Sequence, residues 1–170
     1  FGFDAEEVLS LITPATRLII INSPANPTGG VVSRQEITRL AEGLLKHPQV
    51  AILSDEIYSH QVYDGVDFTS FLGFPELRDR TIILDGWSKT FAMTGWRLGF
   101  GIWPRHLVDY VKKLITVDHS CTSVATQMAG LAALSGPMDE IEGFRKSFEK
   151  RRKLIVDGLN ALPGVTCRMP

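Results

Sequence analysis

Three short apolar runs, each closing on or just before a polar residue, limit this 170-residue chain more than any other feature. They are Arg17 to Asn22, Val50 to Ser54 with Asp55 after it, and Thr81 to Leu84. A continuous apolar run of this length reads as a strand buried on both faces, the kind found in parallel sheets. Between the first two lies a turn-rich stretch, Ser23 to Gly30, and then a helical stripe of Ile37, Leu40, Ala41, Leu44 and Leu45. Strand, helix, strand with a right-handed crossover makes the two strands parallel neighbours. A fourth run, Arg97 to Trp103, follows the third too closely for a crossover, which needs a dozen or more residues. It is therefore expected to be antiparallel. The fold class is α/β, a mostly parallel sheet with flanking helices and one antiparallel strand.

Helix starts are marked by two capping boxes, Asp4 with Glu7 and Ser33 with Glu36. The first predicts a helix through Ile12, stopping before Thr13-Pro14. After Pro104 the pattern turns helical. Leu107, Val111, Leu114 and Ile115 share a face, Val124 to Ala133 form a small-residue helix, and Ile141, Phe144, Phe148, Ile155, Leu159 and Leu162 mark a long amphipathic one. Val165 to Arg168 reads as the start of another strand. The chain divides into residues 1–137, a partial large domain, and 138–170, a long connecting helix with the start of a smaller domain. Its first residues, Phe1-Gly2-Phe3, and its last, Met169-Pro170, read as cut ends of a longer protein.

Composition narrows the function. Eighteen Lys and Arg against nineteen Asp and Glu leave a net charge of −1, without the basic excess of a nucleic-acid binder. Two cysteines, Cys121 and Cys167, are too few for a disulfide framework and lack metal-site spacing, so a reducing compartment, the cytoplasm, is expected. No run is long enough to span a membrane, and His47, His60, His106 and His119 lack metal-ligand spacing. The basic run Lys150 to Lys153 reads as a solvated helix face. Trp87, Trp96 and Trp103 read as packing residues.

The topology itself selects candidate residues. Ligands of open α/β sheets bind outside the carboxyl ends of the strands. Asn26 follows the first strand, Asp55 ends the second, Lys89 follows the third, and Arg97 opens an antiparallel fourth. An amide, an acid, an amine and a guanidinium thus share one edge. That set suits pyridoxal 5'-phosphate (PLP): a lysine for a Schiff base, an acid opposite the pyridinium nitrogen, a hydrogen bond to the phenolic oxygen and a cation for the phosphate.

Three segments carry a specific resemblance: Ser23-Pro24-Ala25-Asn26-Pro27-Thr28-Gly29, Asp55-Glu56-Ile57-Tyr58, and Ser88-Lys89-Thr90-Phe91-Ala92-Met93-Thr94-Gly95-Trp96-Arg97-Leu98-Gly99. In this order they resemble the class I/II aminotransferases, fold-type I PLP enzymes with an aspartate aminotransferase-like large domain. The resemblance implies that Lys89 is the Schiff-base lysine and moves the proton at the substrate Cα. It implies that Asp55 pairs with the pyridine nitrogen, that Asn26 and Tyr58 contact the phenolic oxygen, and that Ile57 packs on the ring. Arg97, with Ser88, binds the phosphate. It also implies a cis Asn26–Pro27 bond, an amino acid and a 2-oxo acid as substrates, and a homodimer.

One departure is Gly86, where many relatives place a phosphate-binding serine three residues before the lysine. The family's phosphate cup, its ring-stacking aromatic residue and its substrate-carboxylate arginine lie outside these residues, so this segment alone is expected to be inactive. Carbon–sulfur β-lyases, cyclopropane-carboxylate synthases and PLP-sensing regulator domains share these motifs. The Met93-Thr94-Gly95-Trp96-Arg97 segment favours an aminotransferase.

Overall fold

A computed structural model describes residues 2–170. Four strands form one sheet: β1 (Leu18–Asn22), β2 (Ala51–Asp55), β3 (Thr81–Gly86) and β4 (Gly99–Ile102). Six α-helices accompany them: α1 (Ala5–Ser10), α2 (Arg34–Leu44), α3 (Trp87–Thr90), α4 (Val108–Asp118), α5 (Val124–Ser135) and α6 (Asp139–Asn160). The sheet order is β1-β2-β3-β4. The first three strands are parallel and β4 is antiparallel to β3, as the short link between them requires.

The register fixes the functional edge. Asn22 pairs with Asp55, and Asp55 with Leu84, so β1 and β2 end level with one another. β3 continues past Leu84, where the sequence reading ended it, through Asp85 and Gly86, which pair with Phe100 and Gly99. β4 begins at Gly99 rather than at Arg97. Arg97 lies in the left-handed region (φ 54°) and caps a 3₁₀ turn over Thr94–Trp96, so the chain cannot yet be extended there.

The core sits on one face of the sheet. Ile37, Leu40, Ala41 and Leu44 of α2 pack with Ile21, Ile52 and Ile83, and Phe71 and Leu77 close the far side. β1 differs from the expectation of burial on both faces. It is an edge strand, Ile21 points into the core, and Ile20 on the other face is 67% exposed. Among the described residues no helix covers that side of β1.

Both helix caps form, with one rearrangement. Asp4 accepts from the Glu6 and Glu7 amides at 2.8 and 3.1 Å, and Ser33 accepts from the Glu36 amide at 3.2 Å. The Glu36 carboxylate does not return to Ser33. It accepts from the Ala5 amide at 2.8 Å and ties α1 to α2. α1 ends at Ser10, short of the predicted Ile12.

The chain after α6 forms no strand. Asn160 instead holds it with two bonds, its amide donating to the Cys167 carbonyl at 2.9 Å and accepting from the Cys167 amide at 2.7 Å. The side chain does here what a neighbouring strand does elsewhere. The face of α4 that carries Leu114 and Ile115 is exposed.

Arg80 closes the end of α2. Its guanidinium donates to the carbonyls of Leu44, His47 and Val50 at 2.7, 2.8 and 2.5 Å and so gathers the turn that leads from the helix into β2. Replacing Arg80 by alanine removes three charge-assisted hydrogen bonds, although the Leu44 and His47 carbonyls keep the amides of His47 and Val50. It is expected to lower unfolding stability by about 2 kcal/mol, measured by urea denaturation of the purified protein. Lysine, with a single nitrogen, recovers less than half of the loss.

Candidate functional site

The turn after β1 is built by its own polar groups. The Asn22 side chain accepts from the Asn26 amide at 2.9 Å, and the buried Ser23 hydroxyl accepts from the Val32 amide at 3.0 Å. Gly29, at φ 69°, lets the chain double back, and its amide reaches the Ala25 carbonyl at 2.8 Å. The Asn26–Pro27 bond is cis, as the resemblance implies, and Ser23–Pro24 is cis as well. This folding presents the exposed Asn26 side chain to the next loop, where it donates to the Tyr58 hydroxyl at 3.3 Å.

The turn after β2 carries Asp55, Ile57 and Tyr58. Asp55 is half-buried, and its carboxylate accepts from the Ile57 amide at 3.2 Å. The Gln61 amide group donates to the Lys89 carbonyl at 3.3 Å, which links this turn to α3. Lys89 Nζ stands 5.7 Å from the centre of the Tyr58 ring. α3 is a single turn held at its base, with the Phe91 and Met93 amides both donating to the Trp87 carbonyl. Beyond it Ala92 (φ 52°) and Arg97 (φ 54°) adopt left-handed backbone, which costs of order 1 kcal/mol or more for a residue with a side chain. The Arg97 guanidinium donates to the Thr94 carbonyl at 3.1 Å.

Three clefts meet around these residues. One of about 370 Å³ is lined by Ile57, Asp85, Ser88, Lys89 and Arg97. A second, of about 530 Å³, shares Ser88 and Lys89 with it and adds Tyr58, Gln61, Phe148 and Arg151. A third, of about 550 Å³, shares Tyr58, Gln61, Phe148 and Arg151 with the second and contains Asn26. Six of the seven residues singled out by sequence therefore line one continuous group of clefts. Asp55 lines none of the three among the described residues; it stands beside them at the end of β2.

Sequence reasoning missed several residues here. Asp85 lies on the same cleft as Lys89 and Arg97 and accepts from the Gly86 amide at 2.6 Å. Burial pushes its carboxyl above the usual range, the Gly86 bond and His60 pull it back, and the Asp55 charge pushes it up again. Its signal is its place four residues before Lys89, which the end of the apolar run at Leu84 hides. Gln61 and the α6 residues carry no local signal; only the tertiary fold brings α6 to the site.

The basic run on α6 is also not all solvated. Arg152 is only 13% exposed, forms an ion pair with Asp64 and stacks 4.8 Å from the Tyr63 ring centre. Arg145 donates to the Val62 carbonyl at 3.3 Å, and Glu149 accepts from the Asp64 amide at 3.3 Å. Burial raises the Tyr63 hydroxyl above its ordinary pKa, and the charges of Arg152 and Arg145 oppose that rise. α6 is thereby clamped to the segment that follows Tyr58 and Gln61.

The chain is similar to known aminotransferases. The chain is 43% identical over 171 residues to an aspartate aminotransferase of Rhizobium meliloti (strain 1021), covering 100% of this chain and 42% of that protein. It is 42% identical over 174 residues to an aspartate/prephenate aminotransferase of Cereibacter sphaeroides, covering 100% of this chain and 43% of that protein. The crystal structure of the aspartate aminotransferase from Rhizobium meliloti superposes with a TM-score of 0.94 at 42% identity, over 99% of this chain and 42% of that one. The chain thus spans less than half the length of these relatives. The sequence model for aminotransferase class I and II matches residues 1–170, the whole chain, and the chain belongs to that family.

Proposed function

We propose that the protein containing this chain is a PLP-dependent aminotransferase that moves an amino group between an L-amino acid and a 2-oxo acid. The observation that carries the reading is the meeting of the Lys89 amine with the Asn26–Tyr58 hydrogen-bonded pair at one sheet edge. The chemistry of the donor set fits PLP. Lys89 is the amine that would hold the aldehyde carbon, Arg97 and Ser88 would take the phosphate, Tyr58 and Asn26 the phenolic oxygen, and Asp55 the ring nitrogen. When bound, PLP supplies an electron-accepting ring that stabilises negative charge developing at the substrate Cα.

The side chains of this chain would divide the remaining work. The Tyr58 oxygen accepts from Asn26, so its own proton is free to be donated into the cleft. An anionic Asp55 beside a ring nitrogen favours the protonated form of that nitrogen. With substrate bound, the Lys89 amine would take up the proton lost from Cα and hold it for return. The Gln61 side chain holds the Lys89 backbone at its carbonyl, and the Lys89 amine lines the cleft shared with Ser88 and Arg97. Ile57 supplies an apolar wall, which strengthens the polar contacts beside it by excluding water. A homodimer belongs to the same proposal, and apolar side chains of α4 and α5 such as Val117 and Leu131 are exposed and suited to be covered.

Borohydride reduction of the full-length protein with PLP, followed by peptide mapping, tests the assignment. The label is expected on Lys89, and a label on any other residue contradicts it. Lys89→Ala is expected to slow amino transfer by about 10²–10⁴-fold in single-turnover assays. Arg97→Ala is expected to weaken PLP binding by roughly 10- to 100-fold, the loss of a charge-assisted hydrogen bond, as read by fluorescence titration.

A further inference from the structure

Glu56 is 5% exposed and carries the next carboxylate after Asp55, yet it lines none of the three clefts. Its Oε1 accepts three hydrogen bonds: from the Ser54 hydroxyl at 2.9 Å, the Ser70 hydroxyl at 3.0 Å and the Phe71 amide at 3.3 Å. Its own amide donates to the Leu84 carbonyl at 2.8 Å, one residue beyond the last paired residue of β2. Ser70 in turn accepts from the Leu72 amide at 3.1 Å and so caps the 3₁₀ turn Phe71–Gly73, whose Phe71 is fully in the core. The turn that bears Asp55 and Tyr58 is therefore tied at its centre to the core and to β3. Nothing else among the described hydrogen bonds joins that turn to the 70–73 segment.

We infer that Glu56 is a positioning residue for the cofactor acid: its buried carboxylate, fixed by Ser54, Ser70 and the Phe71 amide, sets the course of the Asp55–Tyr58 turn and so the aim of Asp55. The geometry allows little alternative. Asp55 and Glu56 are consecutive, and their side chains leave opposite faces of the backbone. A rotation of the turn that moves Asp55 pulls Glu56 away from Ser70 and the Phe71 amide, its two donors outside β2. The bond from the Ile57 amide to Asp55 Oδ1 makes Ile57 a direct reporter of the acid's position. A carboxamide at position 56 keeps an oxygen in the same place to accept the same three donors, whereas a methyl group does not.

This inference rests on the PLP reading for its function, and two measurements on the full-length protein separate them. Hydrogen exchange at the Ile57 amide needs no cofactor, and PLP affinity is read by fluorescence titration. In Glu56→Ala the Ile57 amide is expected to exchange about tenfold faster relative to amides of α2, and PLP to bind about tenfold more weakly, as the loss of buried hydrogen bonds predicts. Glu56→Gln is expected to restore both to within about threefold of wild type.

Should Glu56→Ala fail to fold, Ser70→Ala removes one bond from the other side and is expected to shift both readouts in the same direction by about threefold. A lower melting temperature with unchanged Ile57 exchange and unchanged PLP affinity would overturn the inference and leave Glu56 a core residue only. Loss of PLP binding by the wild-type protein itself would overturn the cofactor reading and with it the role of Glu56 toward that group.

Discussion

The parallel pairing of β1, β2 and β3 is the constraint on which everything else rests. Because Asn22, Asp55 and Leu84 stand in register, the three loops that leave these strands emerge together on one side of the molecule. Slipping one strand by a single residue would turn its apolar set outward and move its loop off that edge. The buried side chains of α2 against Ile21, Ile52 and Ile83 make such a slip costly. Core packing on one face therefore fixes the positions of polar side chains several residues away.

The loops add a second level of order through side-chain hydrogen bonds. Asn26 to Tyr58 joins the first loop to the second, and Gln61 to the Lys89 carbonyl joins the second to the third. Charged groups at this edge are only partly hydrated. Asp85 and Glu56 are both pushed by burial toward their protonated forms, and Asp85 contributes to the shift of Glu56. The side chains of Lys89 and Arg97 line the same cleft as Asp85. Left-handed backbone at Ala92 and Arg97, in the segment that follows Lys89, is the kind of local cost that stable packing elsewhere can support.

Much of this was legible in the residues. Apolar runs mark the strands, Asp4 and Ser33 mark helix starts, and the short β3–β4 link dictates the antiparallel pair, because these are local or nearest-neighbour effects. Asn26, Asp55, Lys89 and Arg97 could be assigned to one edge because topology sends strand ends there, whereas Tyr58 and Ser88 rest on the motif resemblance. What stayed hidden depends on distant partners. Arg152 looks like one charge in a basic run until Asp64 and Tyr63 are seen beside it. Glu36 looks like half of a capping box until Ala5 offers a better donor. The exposed outer face of β1 and the missing strand after Val165 are likewise matters of what lies next to a segment, which an apolar pattern does not encode.

An experimental structure of the full-length protein crystallised with PLP addresses the central claim most directly. The account predicts unbroken density from Lys89 Nζ to the cofactor, the Asp55 carboxylate within hydrogen-bond distance of the ring nitrogen, and Arg97 against the phosphate. PLP bound away from Lys89, or Asp55 and Lys89 facing opposite sides of the sheet, would contradict it.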